Sequence, residues 1–273
     1  MSEKPWTVVS VAGVGLIGGS FALALRKAGF TGKIIGVSSQ ETVRAALDRG
    51  VIDEALPLRE AAAQSDLVYL AQPIGKILST LDDLDPYVFS GTLITDAGST
   101  KSAIVARAAK RIQRGRFIGG HPMAGKESRG VEHADADLFR GRPYVLTSRD
   151  ATLERWIRRI GARVVILDAA EHDRLVALTS HLPQLISTAL AGAIAAAPEA
   201  CEVAGPAAID LTRLAMSPFE IWRDILSTNA EAIDRALDEF IAKLEELRRS
   251  LGDGGIQTAF ERAAASARML RRS

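Results

Sequence analysis

The 273-residue sequence predicts an α/β fold, with a doubly wound parallel sheet over residues 1–168 and an all-helical domain over 169–273. Three observations predict it. Short apolar, β-rich runs alternate with longer helical patterns up to residue 168 and then stop. The first of these runs passes directly into a glycine-rich turn, Gly13-Val14-Gly15-Leu16-Ile17-Gly18, that opens a helix. Beyond Asp168 the strands give way to Ala- and Leu-rich segments with helical spacing.

Residues 7–12 read as the first strand and 16–28 as a helix that Gly29 is placed to stop. A second strand spans 33–37, followed by a helix over 41–49 that ends at Gly50. A third strand over 66–71 leads into a helical stretch over 75–84. Strands at 92–96 and 116–119 flank an Ala-rich helix over 101–112, and strands at 143–147 and 163–167 flank a helix over 152–160. Apolar strands alternating with helices imply parallel pairing, with helices covering both faces of one sheet. In the second half, helices are expected over 171–197 and 230–250, the latter from the spacing of Ile233, Leu237, Phe240, Ile241, Leu244 and Leu247. Asp168 is placed to cap the first of these helices, and Pro183 to kink or break it. These apolar stripes are wide for so small a domain and point to a homodimer formed through the helical part.

Composition narrows the function. With 34 basic and 33 acidic residues the formal charge is +1, which gives no global attraction to nucleic acid or an anionic membrane surface. No run approaches the roughly 18 apolar residues of a membrane span, and no signal-peptide core follows the N-terminus. The single cysteine, Cys201, suits a reducing compartment, so a cytoplasmic protein is expected. His121, His133, His172 and His181 form no pair at zinc-ligand spacing, and no metal is expected.

The glycine turn follows a strand and precedes a helix, the context that a Rossmann-type dinucleotide site requires. Gly13 allows the tight turn, Gly15 lets the backbone approach a pyrophosphate, and Gly18 lets the helix pack closely. The helix N-terminus then offers free N–H groups to the phosphates, with Leu16 and Ile17 in its first turn. Gln72 and Pro73, just past the third strand, are assigned to the same site. An NAD site ordinarily carries an acid at the end of the second strand, to hold the ribose 2′-hydroxyl. Here that place reads Gly36-Val37-Ser38-Ser39-Gln40, with no carboxylate before Glu41. Ser38 and Ser39 can donate to a 2′-phosphate, so NADP or dual use is at least as well supported as strict NAD.

Polar groups cluster at further strand ends, where ligands of open α/β sheets bind. His121 lies in Gly119-Gly120-His121-Pro122, at a strand end built for close approach. A neutral imidazole there can take the proton of a substrate hydroxyl. Ser99 can hydrogen-bond the same hydroxyl, or cap the helix from Lys101. His181 is equally readable as a core histidine or a ligand contact. His133 and His172 stand among charged residues and read as solvated. A lysine-based reductase, using Lys101 or Lys126, and a non-catalytic dinucleotide-binding module remain alternatives.

Taken together, Val11-Ala-Gly-Val-Gly-Leu-Ile-Gly-Gly-Ser20, Gly119-Gly-His-Pro-Met-Ala-Gly125, Ser180-His-Leu-Pro183, Leu211-Thr-Arg213 and Ile221-Trp-Arg-Asp224 resemble the prephenate/arogenate (cyclohexadienyl) dehydrogenase family, from about residue 7 to at least residue 250. The resemblance implies oxidative decarboxylation of prephenate to 4-hydroxyphenylpyruvate in tyrosine biosynthesis, with arogenate as the rival substrate. It implies His121 as the base and Ser99 as its orienting partner, with His181 and Arg213 holding substrate carboxylates and Glu127 as an ion-pairing neighbour of that pocket. Gln184 is the candidate for contacting the substrate side chain. The sequence departs from the family's pattern in lacking the second-strand acid and in carrying Lys126 where a small polar residue is frequent.

Overall fold

The computed structural model describes residues 6–252 and 255–271. The first strand β1 (Val8–Ala12) runs through the turn into α1 (Leu16–Lys27), and β2 (Lys33–Val37) into α2 (Gln40–Asp48). Two short elements, β3 (Glu54–Ala55) and α3 (Leu58–Ala62), have too few residues to leave a periodic signal in the sequence. There follow β4 (Leu67–Leu70), α4 (Ile74–Leu84), β5 (Leu93–Asp96), α5 (Ser102–Arg111) and β6 (Arg116–Ile118). These strands form a parallel sheet in the order β3-β2-β1-β4-β5-β6. The order reverses between β1 and β4, which opens the crevice where such sheets bind ligands.

Alternation along each strand builds a core on both faces. Leu67 and Tyr69 pack in the cluster that contains Phe21, Leu25 and Trp156. Val68 and Leu70 point the other way, to the cluster of Ile77, Leu81 and Ile104.

One expectation is corrected. The strand read over 116–119 ends at Ile118, and the later strands do not extend the parallel sheet. Instead β7 (Gly120–Pro122), β8 (Pro143–Leu146) and β9 (Arg163–Ile166) form a separate three-stranded sheet, with β7 antiparallel to β8 and β8 parallel to β9. The reason lies in the connections. Residues 123–142 contain no α-helix, so no crossover is available to make β7 and β8 parallel. Helix α6 (Ala151–Arg159) does join β8 to β9, and that pair is parallel.

The rest is helical: α7 (Ala169–Val176), α8 (Leu182–Ala195), α9 (Pro206–Thr212), α10 (Phe219–Thr228), α11 (Ala230–Ser250) and α12 (Gly255–Leu270). Asp168 caps α7 as expected, accepting from the Glu171 N–H. The break expected at Pro183 takes the form of a π-helical turn over Ala177–His181, after which Pro183 sits in the first turn of α8. Proline is tolerated there because its missing N–H would have had no helical partner.

Candidate active site

The phosphate turn leaves β1 through Gly13, whose φ of 92° lies in the left-handed region that favours glycine. A side chain at that position would also stand 2.5 Å from the Ala71 carbonyl oxygen. Gly15 faces open space, and a Cβ on Gly18 would overlap the Gly13 carbonyl. No side chain caps α1 and no acid stands in its first turn, so its N-terminal N–H groups remain available to an anion. A cleft of about 600 Å³ opens beside the turn, lined by Gly15, Leu16, Ile17, Gln72, Pro73 and Ser99 among others. Gly13 and Gly18 shape the turn behind it. Ser38 and Ser39 are exposed at the end of β2, and the Ser39 hydroxyl caps α2 by accepting from the Thr42 N–H at 3.3 Å.

The candidate base, His121, is positioned from three directions. Gly120 carries no side chain because a Cβ would lie 2.5 Å from the Asp96 carbonyl oxygen, and this close approach sets β7 against the end of β5. His121 is half-buried on β7, and its Nδ1 lies 2.8 Å from His172 Nε2. His172 is fully buried, contrary to the expectation of a solvated residue. The capped start of α7 turns His172, Asp173 and Val176 to the interior together, so charged neighbours in sequence are not neighbours in space.

His172 Nδ1 lies 2.8 Å from Asp173 Oδ1. The same carboxylate accepts from the Lys101 N–H at 2.7 Å and the Ser102 N–H at 2.8 Å. It therefore caps α5 from the helical domain, the role the sequence also offered to Ser99. Burial opposes the Asp173 charge, but hydrogen bonds from His172, Ser102 and Lys101 outweigh it and hold the carboxyl below its usual range.

This chain determines a tautomer. An ionised Asp173 only accepts, so His172 Nδ1 donates to it and its Nε2 accepts from His121 Nδ1. His121 Nε2 is thereby left as a free acceptor, the atom a general base needs. Burial pushes the His121 pKa well below the ordinary value, and Lys101, together with His172 and His181 whenever they are protonated, pushes it the same way. The imidazole is neutral at physiological pH.

His181 is buried by the π turn, at 1% exposure. Its Nδ1 accepts from Asn229 Nδ2 at 3.2 Å, and the same amide nitrogen donates to the Asp173 carbonyl at 2.8 Å. Trp222 packs edge-on against its ring at 6.1 Å between centroids. Burial lowers the His181 pKa to about 4, with Asp173 opposing and His172 reinforcing the shift. It is therefore neutral, with only Nε2–H left to offer.

A second cavity, of about 500 Å³, is lined by Glu127, Gln184, Arg213 and Trp222 and shares Lys126 and Arg129 with the first cleft. Arg213 and Glu127 form an ion pair at 3.0 Å in its wall. Gln184 is buried, and its amide nitrogen donates to the Leu214 carbonyl at 2.9 Å. Ser99 and His121 are not hydrogen-bonded to each other, and neither His121 nor His181 is part of either cavity's lining. Ala124 and Gly125, which follow His121 closely, do line the first cleft. His133 is exposed, as expected. Sequence reasoning missed His172, Asp173 and Asn229. The cap at Asp168 was the usable signal, since it sets the phase of α7 and so the face on which residues 172 and 173 lie.

Residues 21–169 match the family described as prephenate dehydrogenase, nucleotide-binding domain, and residues 168–262 match prephenate dehydrogenase, dimerization domain. A prephenate dehydrogenase of Lactococcus lactis subsp. cremoris is 35% identical over 246 residues, covering 88% of this chain and 70% of that protein. The crystal structure of prephenate dehydrogenase from A. aeolicus with hydroxyphenyl propionate and NAD+ superposes with a TM-score of 0.90 at 28% identity, covering 99% of this chain and 100% of that one. An arogenate dehydrogenase from Synechocystis superposes with a TM-score of 0.85 at 30% identity, covering 96% of this chain and 99% of that one. The chain belongs to the prephenate dehydrogenase family.

Proposed function

We propose that this member of the prephenate dehydrogenase family oxidatively decarboxylates prephenate to 4-hydroxyphenylpyruvate, in tyrosine biosynthesis. The observation that carries the mechanism is the hydrogen-bonded series from Asp173 through His172 to His121, which leaves His121 Nε2 as an acceptor. The cofactor fits the turn at Gly13–Gly18, where free N–H groups and an open Gly15 face the cleft. When bound there, the nicotinamide supplies the hydride acceptor.

His121 Nε2 takes the proton of the ring hydroxyl as hydride leaves the same carbon. The hydroxyl becomes a carbonyl conjugated with the ring, the bond to the ring carboxylate breaks, and carbon dioxide departs as its electron pair aromatises the ring to a phenolate, which takes back the proton from His121 Nε2 to give the phenol. Ser99, on the cleft wall, orients the hydroxyl. Arg213 suits a substrate carboxylate because its planar fork binds two oxygens and stays charged. Glu127, paired with it at 3.0 Å, yields that position when substrate enters. His181 can give one hydrogen bond from Nε2–H to a second carboxylate. Gln184 orients the substrate side chain.

A lysine base is disfavoured by geometry. Lys101 is fully buried in an ion pair with Asp96, and Lys126 is paired with Asp135 at 2.8 Å on the surface.

For the cofactor we propose dual use of NAD and NADP. No carboxylate at positions 38–40 repels a 2′-phosphate, and exposed Ser38, Ser39 and Arg44 are at hand to receive one. Assembly as a homodimer through the helical domain accounts for the exposed Ile209, Leu211, Ile241 and Leu244. Among the described residues no helix is long and apolar enough to cross a membrane. A cytoplasmic location fits a chain with a single cysteine.

The test is a steady-state grid of prephenate and arogenate against NAD+ and NADP+. Turnover of prephenate with both cofactors is expected. Arogenate turned over in preference to prephenate would reassign the substrate, and no reduced cofactor in any combination would refute the proposal.

A further inference from the structure

Lys101 is fully buried, yet the chemistry above gives it nothing to do. Its contacts are specific. The ammonium pairs with the equally buried Asp96 and donates to the Gly120 carbonyl at 2.7 Å. Asp96 in turn accepts from the Gly120 N–H at 3.0 Å and from the Gly98 N–H at 2.8 Å. Both polar backbone groups of Gly120, the residue before His121, are thus held by this one ion pair. The Lys101 backbone N–H meanwhile donates to Asp173 Oδ1 at 2.7 Å, at the far end of the histidine series.

We infer that Lys101 is the positioning residue of this site: with Asp96 it clamps the Gly120 peptide and, through its own N–H, Asp173, and so holds both ends of the His121–His172–Asp173 series in register. The inference rests on His121 being the base. A buried ion pair is a poor stabiliser, because desolvation offsets the attraction. Its retention beneath a site is explained if it sets geometry, where small displacements of a reacting group cost large factors in rate.

A second effect follows from the same placement. The titratable groups facing His121 are His172 and Asp173 from α7, Lys101 at the start of α5, Asp96 from β5 and His181 from the π turn. The ammonium opposes protonation of His121. Its removal raises the His121 pKa, and the acid limb of the kcat/KM profile then moves to higher pH.

The experiment is Lys101→Met in the full chain. Expected are a fall in kcat of roughly 100-fold, a KM for prephenate and an NAD+ affinity close to the parent's, and an acid limb displaced upward in pH. A near-parental kcat with an unmoved acid limb would overturn the inference. Should Lys101→Met fail to fold because it strands the Asp96 charge, the neutral pair Asp96→Asn/Lys101→Met carries the same readouts. Imidazole nitrogen NMR of the parent and variant separates this inference from the proposed reaction. In the parent, His121 should carry its proton on Nδ1. In the variant, its titration should shift upward and the Nδ1–H preference weaken. An unchanged His121 spectrum would overturn the positioning role even if prephenate proved not to be the substrate.

Discussion

In the sheet half, Val9, Val11, Phe21, Leu67 and Tyr69 are fully buried, and each face of the sheet has its own continuous core. Among the described residues, the helical half buries only Ala177, Leu182, Ala232, Ile233 and Ala236 in a cluster of its own, three of them alanines. It leaves Leu211 at 62% and Phe260 at 69% exposure. Hydrophobic stabilisation scales with the apolar area removed from water, so five small or medium side chains contribute little. The helical half gains from docking instead. Ile225 joins the core under the sheet, and Asp224 caps α4 by accepting from the Gly75 N–H at 2.8 Å. The comparison teaches that the first half is a platform that holds most of the buried core and carries the proposed cofactor turn. The second delivers His172, Asp173 and His181 inward and leaves apolar side chains exposed on its outer face, the face proposed above for self-association.

If that division is right, the largest effect comes from the point where the halves meet. His121→Asn should lower kcat about 1,000-fold, the middle of the range for a general base, while NAD+ affinity stays near parental because the proposed cofactor turn at Gly13–Gly18 and the cleft beside it do not include His121. Loss of both together in kinetics and cofactor titration would break the division. Next in size, Phe21→Ala should cost about 4 kcal/mol by opening a cavity in the platform. Urea unfolding of the variant and the parent at one protein concentration would measure the loss.

Acid sensitivity should come from the two buried imidazoles where the halves meet, His121 and His181, both held below the ordinary histidine range. His181 has a folded-state pKa of about 4, below its unfolded value, so the unfolded chain binds the extra proton as pH falls. Its contribution is whole above about pH 6.5 and is lost as pH drops toward 4. The loss amounts to about 3 kcal/mol. Unfolding measured between those limits should show that slope, and His181→Leu should reduce it, the remainder belonging to His121; an unaltered slope would remove His181 from the acid response. The smallest effect sharpens the surface side of the comparison. Leu244→Glu, at a side chain 49% exposed, should leave monomer stability within about 0.5 kcal/mol. It should weaken self-association by about 1–2 kcal/mol, read by sedimentation on dilution.

Much of the platform was legible from sequence because its signals are local. The phosphate turn lies within six consecutive residues, Gly13 to Gly18, and the alternation of β1, β2, β4 and β5 with their helices repeats at short range. The departure of β7 from the parallel sheet was not legible, because it depends on the missing crossover helix and on Gly120 fitting against Asp96. The site divided in the same way. His121, His181 and Arg213 lie in the motifs that carry the resemblance, whereas His172 was read as a surface residue from charges adjacent only along the chain.

By itself the sequence determined that a dinucleotide turn precedes a parallel sheet, that helices follow, and that a histidine stands at a strand end. Only the tertiary structure decided which nitrogen of that histidine is free. The answer depends on His172, 51 positions away, and on Asp173 beyond it, with Lys101 holding the arrangement from below. Proton placement is set by donors and acceptors within about 3 Å, and such distances exist only once the chain has brought remote segments together.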